Sequence, residues 1–273
     1  MDPLQIDTAL ARRMIVEFLR REVTRAGFGR GVVGMSGGVD SSLVAFLTVE
    51  ALGRENVLGV FMPYRTSNPA SQSDAEEAAR LLGIENRVVD ITPMVDPYLT
   101  QYVRENERRR GNVMARARMI VLYDQSEDWH GLVIGTSNKT EALLGYTTQY
   151  GDNAAALHPI TDMYKAQVRQ LARAVGVPDR IIAKAPSADL WQGQTDEGEL
   201  GFTYDEADAI LYYLVDERRR VEDVIGMGFE GRVVRRVAEL MARNQFKRVT
   251  PVVAKLSART IGIDFLYNRD WGT

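Results

Sequence analysis

Short apolar runs alternate with stretches of helical period through the first half of the chain, and this alternation is the strongest constraint on its fold. Ile6 to Ala26 places Leu10, Met14, Ile15, Phe18, Leu19 and Val23 along one helix face, and Gly27, Gly29 and Gly31 close it. Gly31 to Met35 reads as a buried strand, followed by a glycine-rich turn and a helix from about Asp40 to Leu52. Val57 to Met62 is a second strand, Ser71 to Leu82 a helix ended by Gly83, and Asn86 to Ile91 a third strand. Met94 to Asp128 is helical, with a break predicted at Gly111-Asn112, and Gly131 to Gly135 is a fourth strand. Such alternation predicts a parallel sheet with helices on both faces, in the α/β class. Right-handed crossovers then put ligands at the carboxyl ends of the strands. After Thr161 the chain reads as helix and loop. No repeat or linker is visible, so one domain is expected over residues 1–273.

Composition removes several kinds of chemistry. The 273 residues contain no cysteine, so disulfides, Cys-ligated zinc, iron–sulfur clusters and a thiol nucleophile are excluded. His130 and His158 are the only imidazoles, too few for a His-rich metal site. A net charge of −3 leaves no footprint for general nucleic-acid binding. No apolar run reaches the ~18 residues of a membrane span. The first residues lack a basic n-region, an apolar h-region and a cleavage site, so no signal peptide is expected and the cytoplasm is the expected location. Arg108-Arg109-Arg110 and Arg218-Arg219-Arg220 read as solvated helix faces.

The turn after the first strand carries the chemistry. Gly34, Met35, Ser36, Gly37, Gly38, Val39, Asp40 and Ser41 stand between a strand and a helix. Glycines there let backbone N–H groups curl around an anion, and the helix N-terminus adds its dipole. Asp40 is out of place beside phosphate unless it holds a divalent cation. Alone, the turn is equally a glycine turn with Asp40 or Ser41 as a simple cap. No Gly-Lys-Ser/Thr follows, so it is not a Walker A loop, and the dinucleotide pattern GxGxxG is absent.

The segment S-G-G-V-D-S after an apolar strand resembles the pyrophosphate loop of the N-type ATP pyrophosphatases. Members that thiolate tRNA need cysteines, as does a built-in glutaminase, so a member supplied with ammonia is left. Further segments are similar to the ammonia-dependent NAD synthetase family: Met62-Pro63-Tyr64, Gly111-Asn112 with Ala115 to Met119, Gly135 to Glu141, Tyr150-Gly151-Asp152, Pro159-Ile160 with Asp162 and Lys165, Pro186 to Trp191, and Gln194 to Glu197. The resemblance runs from about Val32 to Asp208 and returns weakly at Gln245 to Arg248. It implies a doubly wound parallel sheet of about five strands, adenine nucleotide alpha-hydrolase-like, with helical C-terminal additions. It implies that ATP adenylates the nicotinate carboxylate of deamido-NAD, and that ammonia then displaces AMP to give NAD. Residue by residue, it implies that the segment Gly34 to Ser41 cradles the ATP phosphates. Asp40 and Glu141 would hold Mg²⁺; Thr136, Lys165 and Ser187 would contact ATP; Arg116 would meet the dinucleotide. Asp40, Glu141 and Lys165 are thus the expected catalytic set.

The match fails at the acceptor side. Gln149 stands where the family usually has Lys, Ala156 where it has Asp, and Phe246-Lys247 where it has His-Lys. These four positions are the remaining candidate substrate contacts. Two alternatives follow: a paralogous amide ligase that adenylates another carboxylate, or a non-catalytic adenine-nucleotide-binding module. The resemblance also implies a homodimer that shares its dinucleotide site. Ile210 to Leu214 is an apolar stripe better read as core than as interface. The tail from Val249 to Thr273, with Tyr267 and Trp271, has no periodic pattern and is read as a cover for the substrate site.

Overall fold

The computed structural model describes residues 3–103, 106–187 and 194–265. Ala188 to Trp191, Tyr267 and Trp271 therefore lie outside the described residues. Helix α1 (Thr8–Arg25) starts where the Asp7 carboxylate accepts the Leu10 N–H. Then come β1 (Gly31–Gly34), α2 (Val39–Leu52), β2 (Val57–Phe61), α3 (Pro69–Leu82) and β3 (Glu85–Val88). They are followed by α4 (Thr92–Tyr102), α5 (Glu107–Trp129) and β4 (Leu132–Ile134). The remainder is helical: α6 (Lys139–Leu144), α7 (Lys165–Val175), α8 (Asp179–Ile182), α9 (Asp196–Leu200), α10 (Tyr204–Leu211), α11 (Val221–Gly226) and α12 (Gly231–Arg243).

The four strands are parallel, in the order β3-β2-β1-β4. β1 to β3 progress outward in one direction, and β4 then returns to the other side of β1. This makes a switch point between β1 and β4, where adjacent crossovers leave a crevice at the carboxyl edge. In register, Val32 faces Leu58 on one neighbour and Val133 on the other. Alternation sends Val33, Val57, Phe61 and Ile134 into a core with α1, α2, α3 and α7. Val32, Leu58 and Val60 face Val95, Leu99, Met114 and Val121 of α4 and α5. Helix α2 is buried almost all round, with Leu43, Val44 and Leu47 fully enclosed, as a helix sandwiched between sheet and outer helices must be. Shortening Leu47 to Ala would cost about 2–5 kcal/mol. A third apolar cluster joins Leu144 and Tyr164 to Ile210, Leu211, Val224, Val234 and Val237. The Ile210 to Leu214 stripe is therefore core.

Three details differ from expectation. Among the described residues the sheet has four strands, not about five. The fifth is reduced to one parallel bridge between Ile134 and Leu157, flanked by hydrogen bonds from Ala156 N–H to Val133 and from Gly135 N–H to Leu157. Pro159 has no N–H to carry the ladder on. Next, the long helical stretch is not broken at Gly111-Asn112. Gly111 is buried inside α5, and the boundary instead falls before Asn106, whose side chain accepts the Arg109 N–H and starts that helix. Finally, Arg218 to Arg220 are exposed as expected but lie in a loop, with Arg218 at φ +53°. No helix among the described residues is long and apolar enough to cross a membrane.

Candidate active site

The glycine-rich turn leaves β1 at the switch point and enters α2. Ser36 and Ser41 share a hydrogen bond between their hydroxyls at 3.0 Å, and the Ser41 hydroxyl also takes the Ser36 N–H at 3.2 Å. The Gly38 N–H donates to Ser36 Oγ at 3.3 Å. The turn is thus closed on itself by its own serines. Gly37 takes φ +76°, a left-handed conformation that side chains disfavour, and its open face lies against the main chain of Ser71 in α3. Gly38 is the N-cap of α2, so Asp40 falls in the first helical turn, where the macrodipole favours a carboxylate.

Asp40, Glu141 and Lys165, drawn from three helices, meet beside this turn. Lys165 Nζ lies 2.5 Å from Asp40 Oδ2 and 3.3 Å from Glu141 Oε1. The lysine is 3% exposed and the two carboxylates 17% and 18%. Its ammonium also stands 5.1 Å from the centre of the Tyr204 ring. Burial opposes the Lys165 charge, but Asp40 and Glu141 outweigh it and hold the pKa above its ordinary value. Burial raises Glu141 above the usual carboxylate range; Lys165 opposes this and Asp40 adds to it.

Asn138 is the hub that sequence reasoning missed. Its amide donates to Asp40 Oδ1 at 3.0 Å, and its carbonyl accepts the Glu141 N–H at 2.9 Å. Glu141 Oε2 accepts the Asn138 N–H at 3.4 Å, completing a capping box. The signal was present in the spacing: Asn138 and Glu141 stand three apart at the start of a helix. Thr136 lies two residues beyond β4 on the same carboxyl edge. Ser187 is exposed, three residues beyond Lys184, whose ammonium bonds Ser71 Oγ at 3.0 Å and Asp74 at 2.9 Å. Because Ser71 abuts Gly37, these bonds tie the Ser187 segment to the glycine-rich turn.

Of the acceptor-side candidates, two meet. Arg116 Nε donates to the Gln149 carbonyl at 3.2 Å, so these two residues meet. Lys247 donates to the carbonyls of Gly145 and Thr147 at 2.6 and 2.7 Å, and burial lowers its pKa. Phe246 beside it is exposed. Ala156 is exposed and joined through its backbone to β4. The structure therefore brings together Asp40, Glu141 and Lys165, and separately Arg116 and Gln149.

Two carboxylates converging on one point are the hard oxygen donors that suit a divalent cation, with further ligands from phosphate and water. Two carboxylates of this kind, a glycine-rich turn at a helix N-terminus and a buried ammonium together are suited to holding a polyphosphate and stabilising charge on it. Comparison with known proteins agrees with this chemistry. The family model for NAD synthase matches residues 11–251. The "NH(3)-dependent NAD(+) synthetase" of Trichlorobacter lovleyi is 54% identical over 272 residues, covering 100% of both chains. A solved structure described as "NMN synthetase from Francisella tularensis" aligns with TM-score 0.82 and 30% identity, over 92% of this chain and 100% of that one. The "NH3-dependent NAD synthetase from Campylobacter jejuni" aligns with TM-score 0.79 and 31% identity, over the same shares. On this geometry and these matches, the chain belongs to the NAD synthase family.

Proposed function

We propose that this chain is an ammonia-dependent NAD synthetase that acts on deamido-NAD with ATP. The observation that carries the reading is the meeting of Asp40, Glu141 and Lys165 beside the glycine-rich turn. A carboxylate is a poor acyl donor because oxide is a bad leaving group. In the first step a nicotinate oxygen bonds to the α-phosphorus, the α–β bridge breaks, and pyrophosphate leaves with the electron pair. In the second, the ammonia nitrogen bonds to the acyl carbon, AMP departs, and the nitrogen sheds a proton. The protein's share is positioning and charge stabilisation.

The segment Gly34 to Ser41 and the α2 N-terminus hold the phosphates, with the hydroxyls of Thr136 and Ser187 toward ATP. Lys165 serves as a point charge on a flexible stem. Asp40 and Glu141 would hold Mg²⁺, which when bound neutralises phosphate charge. Arg116 recognises an acceptor phosphate, with Gln149, Ala156, Phe246 and Lys247 as the remaining candidate acceptor contacts. The homodimer expected of the family is supported by an apolar stripe. Met94, Tyr98 and Tyr102 recur at four-residue spacing on α4 and are exposed, as are Ile120 and Tyr123 on α5. Arg116 shares the α5 face with them, which supports an acceptor site next to the interface. Side-chain bonds from α10 to α6 and α7 support a single domain, and the cytoplasm is the proposed location.

A second reading is a mononucleotide acid as acceptor. Gln149 and Ala156 remove one charge of each sign from the family pattern, and the Francisella neighbour is described as an NMN synthetase. One assay separates the readings: purified protein with ATP, Mg²⁺, ammonium and either deamido-NAD or nicotinate mononucleotide. Equal amounts of AMP and NAD support the first reading. AMP with the mononucleotide alone supports the second. No AMP with either, at high protein concentration, would leave a nucleotide-binding module. Asp40→Ala should abolish AMP formation under both enzymatic readings.

A further inference from the structure

Lys165 and Glu141 stand in the first turns of α7 and α6, and a third helix ties those turns together. Asp208, on α10, is fully buried and takes no part in the site itself. Its Oδ1 accepts the Thr140 hydroxyl at 2.5 Å and its Oδ2 accepts the Ala166 N–H at 2.7 Å. Thr140 Oγ1 in turn accepts the Lys165 N–H at 3.0 Å. The Thr140 hydroxyl thus bridges the carboxylate of one helix to the backbone of another. The first N–H groups of a helix have no partner within it. Tyr164, the N-cap of α7, turns its hydroxyl to Asp216 and makes no side-chain cap bond, so Asp208 and Thr140 take over that role from outside the helix. Burial raises the Asp208 carboxyl to about 6, opposed by the bonds from Thr140 and Ala166.

From this chain of bonds we infer that Asp208, acting through Thr140, is a positioning residue that sets where the Lys165 ammonium stands relative to Glu141. The inference rests on the proposed amide-forming reaction for its catalytic consequence, and on the bonds alone for its structural one. Glu141 follows Thr140 directly in α6, and Lys165 is bonded to Thr140 through its own N–H. Loosening Asp208 therefore frees both functional turns at once. A misplacement of about 1 Å in such a constellation can cost on the order of a hundredfold in rate. Asn at position 208 matches Asp in shape, but its single oxygen cannot accept both the Thr140 hydroxyl and the Ala166 N–H.

The test uses the full chain and the variants Asp208→Asn, Thr140→Val and Thr140→Ser. One readout needs no substrate: the extent of Lys165 acetylation by limiting acetic anhydride, measured by peptide mass spectrometry, with exposed Lys255 as reference. The other is kcat and KM for ATP in the AMP-release assay with deamido-NAD. In D208N and T140V, Lys165 labelling should rise at least fivefold and kcat fall at least tenfold. KM for ATP should stay within threefold and Tm within about 5 °C. T140S, which keeps the hydroxyl, should recover most of what T140V loses. The double variant D208N/T140V should be no worse than the poorer single one, because both break one chain of bonds. Lys165 labelling and kcat within twofold of wild type in D208N would overturn the inference. So would a fall in Tm of more than 10 °C with kcat retained per folded molecule. If D208N does not fold, T140V and its serine rescue decide alone. A wild-type protein that releases no AMP defeats the functional reading, and the labelling arm still decides the positioning.

Discussion

Replacing Gly37 by alanine isolates the contact that shapes the glycine-rich turn. A Cβ at Gly37 would lie 2.0 Å from the carbonyl oxygen of Ser71 and 2.8 Å from its carbonyl carbon. Carbon–oxygen contacts of this kind settle at roughly 3.3–3.6 Å, so one side must retreat by more than 1 Å. The neighbour is main chain and cannot swing away. It belongs to the first turn of α3, where the Ser71 N–H bonds the Asn68 carbonyl at 2.9 Å and the Asn68 side chain takes the Ala70 N–H at 3.0 Å. At φ +76° a residue with a Cβ costs about 1–2 kcal/mol. Overpacking against a fixed neighbour adds about 1–3 kcal/mol. The total is about 2–5 kcal/mol, and at about 2 °C per kcal/mol for a chain of this size Tm should fall by about 4–10 °C.

The control is the next residue. Gly38 has φ −94°, and a Cβ there meets only the Ser36 hydroxyl at 3.4 Å, so G38A should leave Tm within about 2 °C. Calorimetric unfolding of G37A, G38A and wild type at one pH checks the pair, and titration of ATP into each checks the consequence. G37A should bind ATP much more weakly, because the turn must move as a unit with its N–H groups. Equal Tm values for G37A and G38A would refute the argument, since the two differ chiefly in backbone conformation and in the Ser71 contact.

Lys165→Met leaves Asp40 and Glu141 buried without their cation. It should lower the unfolding free energy by about 3–5 kcal/mol in urea, and adding Glu141→Gln should restore part of the loss. Asp208 offers a pH signature. Its folded pKa of about 6 lies above the ordinary 3.8, with burial the main cause and Asp205 nearby adding to it. The stability this contributes is complete below about pH 4 and is lost as pH rises through 6, so wild type should lose on the order of 2 kcal/mol relative to D208N between pH 4 and 8. Parallel stability curves for the two proteins would contradict this. The exposed α4–α5 stripe predicts that Tyr98→Glu with Ile120→Glu converts a dimer to a monomer in sedimentation equilibrium, with monomeric unfolding little changed; an unaltered mass would place the interface elsewhere.

What could be read from the chain divides along a physical line. The strand, turn and α2 were legible because their signals are local: an apolar run, glycines and an acidic residue within a dozen positions. Gly111 misled for the opposite reason. It is a helix breaker by propensity, but inside α5 it is buried against neighbours, and tertiary packing overrides a cost of about 1 kcal/mol. The weak fifth strand also depended on what lay beside it, since Leu157 pairs for a single residue before Pro159 removes the next donor. The site shows the same division more sharply. Asp40, Glu141 and Lys165 carry charges that a phosphate-handling motif requires, so the sequence exposes them. Asn138 would pass for an ordinary cap and Thr140 and Asp208 for ordinary helix residues, because their importance arises only when α6, α7 and α10 are brought together. Thr140 and Asp208 are 68 residues apart, with no periodicity linking them. The charged groups are therefore marked by their own chemistry, whereas the residues that hold them are marked by burial and by bonds between helices. A substitution at Asp208 consequently tests the fold's contribution to the proposed chemistry more directly than one at Lys165, which removes the charged group itself.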